Sequence, residues 1–207
     1  MGPTHVFDSM YGRVLTGAGA VVAAIMLVSI TVTEGVGGLL RAAPWILLGV
    51  LAVAALFWLP RVVVSDGGIE IRNVWTTTQI PWPTFRAVEA RYSLEVETTT
   101  GTVSAWAAPR SSGAAARMRR RGTADDTTPA VVDAGDPDTT VRHPGTADAA
   151  AAVIVARYGA LKSAGHLAGA EQAVRAGGIA PVRTLHVRTL TAAAVLVVAG
   201  LLGVLIG

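Results

Sequence analysis

The sequence predicts a membrane protein with α-helical spans and one soluble α+β domain, on three observations. Hydrophobic residues fill 52% of the 207 positions and the mean hydropathy is +0.51, both high for a chain surrounded only by water. Residues 14–33, 39–60 and 190–207 are apolar over about twenty positions each, enough to cross a hydrocarbon core of roughly 30 Å. Residues 61–109 instead carry a period of two. Ile69 and Ile71 alternate with Glu70 and Arg72, and Leu94 and Val96 with Glu95 and Glu97, the pattern of half-buried strands.

A formal charge of +3 and an isoelectric point near 9.9 could suggest nucleic acid, but the basic residues flank apolar segments or sit in one low-complexity tract. Membrane topology accounts for them, and no nucleic acid is expected as a partner. Cysteine is absent, which excludes disulfides, thiolate metal sites and cysteine nucleophiles.

Taken in order, residues 1–13 read as a polar cytoplasmic tail and 14–33 as the first span. A cleavable signal peptide is the rival reading of that run, although it is long for one and a second apolar run follows at once. Residues 34–38 are glycine-rich and short, fit for an external hairpin between helices. Residues 39–60 form the second span, with Arg41 at its start and Trp45 and Trp58 near its ends. Those tryptophans suit the aromatic belts of membrane interfaces, or else face a neighbouring helix.

The soluble domain is expected over 61–165. Asp66-Gly67-Gly68 between two β-branched runs marks a hairpin whose turn needs positive φ. A turn at Arg72-Asn73 leads into a strand over 74–80, where three threonines favour extended backbone. Pro81 and Pro83, which cannot donate amide hydrogen bonds, interrupt the ladder around Trp82. Strands over 85–92, 93–98 and 102–107, with a tight turn at Thr100-Gly101, complete a meander: a short-strand antiparallel sheet or partly open barrel.

Residues 110–145 hold arginines, then aspartates, prolines and glycines with few large apolar side chains, and are expected to be a disordered insertion. Arg117, Arg119, Arg120 and Arg121 could touch anionic lipid, but the following aspartates favour a solvated polyampholyte tether. Thr146 can cap a helix running to about Leu161, with Val153, Ile154, Tyr158 and Leu161 on one face and Gly165 ending it. Residues 166–189 read as a helical and juxtamembrane connector, with a weak helix over 167–176 and with Arg183, His186 and Arg188. Residues 190–207 form the third span.

Of 17 Lys and Arg residues, all but Arg13 and Arg41 fall between the second and third spans. The positive-inside bias then predicts a multi-pass protein of the cell (inner) membrane, with the amino terminus and the soluble domain cytoplasmic.

Little in the chain points to catalysis. His5, His143, His166 and His186 are scattered, without the spacing of a metal site on a helix. No nucleophile elbow, phosphate loop or dinucleotide fingerprint occurs, and Glu95 and Glu97 share one strand face that reads as solvated rather than catalytic. The spans lack ionisable interiors, which argues against a transporter or channel. Gly203 and Gly207, like Gly17, Gly19 and Ala23, allow close helix approach, within the chain or between copies. No enzyme, cofactor, metal or small-molecule substrate is expected.

The segments VVVSDGGIEIRN, Thr78 to Trp82 (TQIPW) and SLEVETTTGTVSAW together resemble the bacterial pleckstrin-homology-like (PH-like) domain family of actinobacterial membrane proteins, related to the domain of low molecular weight protein antigen 6. The resemblance implies a bent antiparallel sheet or partly open barrel closed by a carboxyl-terminal helix, for which 146–161 is the candidate. It carries no catalytic residues. Lipid-binding relatives place basic residues around the first hairpin turn, whereas Asp66-Gly67-Gly68 is acidic and expected to be bare. The implied role is a protein-interaction or scaffolding module for a protein partner or further copies of the chain. The alternative is an anionic-lipid sensor in which Arg61, Arg72, Arg86 and Arg91 meet the membrane surface.

Overall fold

The computed structural model describes residues 2–109 and 140–206. It divides into two compact units, one built on β-sheets and one on helices.

The sheet unit opens with a strand the sequence did not suggest. Thr4–Asp8, inside the expected tail, form β1. The expected meander follows as β2 (Arg61–Ser65), β3 (Gly68–Arg72), β4 (Thr76–Ile80), β5 (Phe85–Ala90), β6 (Ser93–Thr98) and β7 (Gly101–Pro109). Two further strands are β8 (Thr140–Pro144) and β9 (Val182–Leu185). The expected disordered insertion thus ends in a strand, and residues 110–139 lie outside the described residues. One sheet runs β8-β1-β2-β3-β4-β9 and the other β5-β6-β7, so the described strands form two sheets and no closed barrel. β1–β2, β2–β3, β3–β4, β5–β6 and β6–β7 pair antiparallel, and β1 pairs with β8 in parallel.

The alternation read from the sequence sorts the side chains. Val62, Val64, Ile69, Ile71, Leu94 and Val96 are buried, while Glu95 and Glu97 are exposed. The two hairpin turns take positive φ at a glycine, as expected. Ser65 pairs with Gly68 and Thr98 with Gly101, and the positive φ sits on those closing glycines, 151° and 141°, not on the loop residues. A Cβ on Gly68 would also lie 2.5 Å from the Ile80 carbonyl oxygen, so the position is closed to any side chain. Each hairpin is tied by the hydroxyl at the strand end: Ser65 Oγ donates to Gly68 O at 3.3 Å and Thr98 Oγ1 to Gly101 O at 2.6 Å.

Pro81 and Pro83 flank Trp82 in a single 3-10 turn, Trp82–Thr84, that carries the chain from one sheet to the other. A helix, α2 (Ala147–Ser163), packs Ala147, Ala150 and Ile154 into the core at helical spacing. Thr146 occupies its N-cap position without a side-chain cap bond, and Gly165 beyond its end has φ 76°. The short α3 (Ala170–Arg175) follows.

The helical unit holds α1 (Met10–Phe57) and α4 (Val187–Ile206). Helix α1 is broken at Gly35 (φ 67°, ψ −163°), within the expected hairpin. Its two arms lie antiparallel: a Cβ on Gly12 would collide with the Phe57 backbone, and one on Gly19 would touch Val53 at 3.9 Å. Gly200 and Gly203 of α4 face Trp45 and Arg41, so α4 runs antiparallel to the second arm, and its glycines serve packing within the chain. By length and composition both α1 and α4 could cross a membrane.

Candidate interaction site

The four arginines expected at a membrane surface fall on two sheets. Arg61 and Arg72 are cross-strand partners on β2 and β3, with Arg61 held 3.7 Å from Glu70. Two cations directly opposite repel, and the Glu70 carboxylate offsets this. Arg72 is half-buried and its Nε has no hydrogen-bond partner among the described residues. Arg86 and Arg91 belong to the other sheet. Arg86 sits at the register shift between Phe85 and Ala87, and Arg91 lies just past the far end of β5. At about 3.3 Å per residue these two stand roughly 16 Å apart.

The first hairpin turn is acidic but not bare. Asp66 Oδ1 lies 3.0 Å from Arg157 Nη1 of α2, and Asp66 Oδ2 accepts the Gly2 amide at 2.8 Å. Arg157 also donates through Nη2 to the Pro3 carbonyl. One arginine from the closing helix therefore fastens both the turn and the amino-terminal end of β1. Beside this junction is a cleft of about 490 Å³ lined by Gly2, Asp66, Arg157, Leu161, Ala164 and His166.

Two of the histidines read as scattered are neighbours. His5 on β1 and His143 on β8 meet with Nδ1 and Nε2 2.8 Å apart, their rings stacked at 5.1 Å, and Phe7 stacks on His143 at 4.9 Å. Burial lowers the pKa of His5 below its usual value, helped by His143 and Arg157, and burial lowers that of His143. Both therefore favour the neutral form, and the short contact needs one nitrogen to carry hydrogen and the other to accept it. No local spacing announces the pair, because parallel pairing of strands 138 positions apart creates it.

The Trp82 indole, 2% exposed, donates to the Ser65 carbonyl at 2.9 Å and packs against Phe85 and Tyr158. Asn73 spans the two sheets, giving Nδ2–H to Ser104 O and taking the Trp106 amide on Oδ1, each at 2.8 Å. Asn73 thus ties the two sheets at an exposed edge, while Ile80 and Trp82 of the Ile-Pro-Trp run enter the sheet-and-helix core. Residues 59–158 match the family model of the bacterial PH domain.

That segment is a bacterial PH-like domain, as the three sequence segments suggest. PH domains as a class are protein or lipid interaction modules and generally not enzymes. In this chain the PH-like unit includes β1 and β9, both outside the matched residues. No match was found among curated proteins, and none among solved structures.

Proposed function

We propose that the chain is a membrane-anchored scaffold whose PH-like domain, at the cytoplasmic face of the cell (inner) membrane, binds a protein partner or further copies of itself without catalysing a reaction. The spans are 14–33, 39–60 and 190–207. Support for two crossings in α1 comes from strand pairing: β1 precedes that helix and β2 follows it, and His5, Val6 and Phe7 pair with Val64, Val63 and Val62. Paired strands lie on one side of a bilayer, so the intervening helix crosses an even number of times. The glycine break and the antiparallel arms favour two. Arg13 with Arg61, Arg72, Arg183 and Arg188, all near span ends, favours the cytoplasm for that side.

The observation that carries the protein-partner reading is the dispersal of Arg61, Arg72, Arg86 and Arg91 over two sheets, together with the engagement of Arg157 by Asp66. Anionic lipid is best held by basic charge gathered on one face. Photo-crosslinking of the full chain in native membranes tests this. A recurrent protein adduct on the PH-like domain is expected, and recovery of monomer and lipid alone overturns the reading.

An anionic-lipid sensor is the second reading. It is favoured by the pairing of Arg61 with Arg72 on adjacent strands, two cations side by side with the Arg72 Nε buried and without a hydrogen-bond partner among the described residues. Domain-to-lipid crosslinks that appear with anionic and not zwitterionic lipid, and that weaken with salt, would favour it.

A further inference from the structure

One piece of the meander groups with the helices. Val74, Trp75 and Thr76 cluster with α1 and α4 rather than with the sheets. His186, immediately before α4, makes the link: its backbone amide donates to the Trp75 carbonyl at 2.9 Å, and its Nδ1 lies 3.2 Å from the Val74 carbonyl. Val74 is buried, whereas the Trp75 side chain is 46% exposed.

The helix register shows which end of the helical unit this is. Gly200 beside Trp45 and Gly203 beside Arg41 set α4 antiparallel to the second arm of α1, and the same register continued along both helices brings Val187 level with Trp58. Gly12 against Phe57 brings the start of the first arm to that level, where the Arg13 guanidinium lies 5.8 Å from the centre of the Trp58 ring. One end of the three helices therefore gathers Tyr11, Arg13, Trp58, Trp75, His186 and Arg188. Tyrosine and tryptophan with arginine suit the boundary between acyl chains and headgroups, where a ring can be half apolar and half wet and a cation meets phosphate.

We propose that Trp75 is an interfacial membrane anchor, its indole seated in the headgroup zone around the chain's own spans and held there by His186. The inference rests on the spanning reading above. It adds to the membrane contact a residue that the sequence assigns to a strand.

Because the chain has no cysteine, Trp75→Cys in the full protein gives a unique site for a nitroxide label. Val195→Cys on α4, 66% exposed, and Tyr92→Cys on the β5–β6 turn, 85% exposed, give the references. In proteoliposomes of phosphatidylcholine and phosphatidylglycerol, collision with oxygen and with a water-soluble nickel chelate reads depth. The label at 75 is expected to lie shallower than at 195 and to be several-fold less accessible to nickel than at 92. His186→Pro on the Trp75→Cys background, which removes both the amide donor to Trp75 and the ring nitrogen beside Val74, is expected to return it toward the value at 92. Nickel access at 75 equal to that at 92, with 195 in lipid, overturns the anchor and leaves the spans standing. Nickel access at 195 equal to that at 92 overturns both. An unchanged depth after His186→Pro removes His186 as the holder.

Discussion

In the PH-like unit the fully buried side chains are large, among them Phe7, Ile69, Ile71, Ile80, Leu94 and Ile154. In α1 the buried residues are Gly12, Thr16, Ala23, Gly38 and Ala55, while Val14, Ile25 and Val28, like Val195 and Val204 of α4, face outward. Under the spanning proposal the contrast is that of two solvents. Water drives large apolar groups inward and leaves Glu95 and Glu97 outside. Lipid gives no such drive, so helices meet through small residues and backbone contact.

The comparison breaks most visibly at Phe7. Phe7→Ala should cost about 3–5 kcal/mol of the sheet unit, as for other large-to-small core changes, whereas Val195→Ala should stay within about 0.5 kcal/mol. Denaturant titration in micelles, followed by far-ultraviolet circular dichroism, measures both, and equal costs would remove the distinction. Gly12→Leu tests the helical side. The added side chain meets the Phe57 backbone and should cost about 1–3 kcal/mol as overpacking. Gly17→Leu, where a Cβ meets nothing within 4 Å, should leave the helical melt unchanged.

Arg157→Met should destabilise the sheet unit less. The Arg157 and Asp66 side chains are 14% and 27% exposed. The cost should fall between the ~0.2–1 kcal/mol of an exposed pair and the ~3–5 kcal/mol of breaking a buried one. Faster hydrogen exchange in β1 would accompany it.

The smallest effect is pH-dependent. The folded unit holds the pKa of His5 and of His143 below 6.5, so this contribution is complete above that value and is lost as pH falls below it, where the unfolded chain takes up the protons. His143→Gln should therefore shrink the fall in thermal midpoint between pH 7.5 and pH 5.5. An undiminished fall would locate the acid sensitivity elsewhere.

The legible parts of the fold were those whose signal is local. Alternation around Ile69 and Leu94, the glycine-closed hairpins, the two prolines about Trp82 and the helical spacing of Ile154, Tyr158 and Leu161 each lie within a short window. The segments THVFD, TVRHP and VRTL are too short and mixed to carry a period, and they become strands through partners elsewhere in the chain. The site suffered for the same reason. The His5–His143 pair and the Asp66–Arg157 clasp exist only after distant segments meet, and Trp75 looks like any strand residue until His186 reaches it.

The place of β1 ahead of the first helix has a consequence for biosynthesis. His5 leaves the ribosome 138 residues before its partner His143. At roughly 5–20 residues per second this is a wait on the order of ten seconds, during which the apolar segments emerge. Phe7 can meet Val62 of β2 well before then, but until β8 emerges the other edge of the first strand stands unpaired, an unfilled half of a joint.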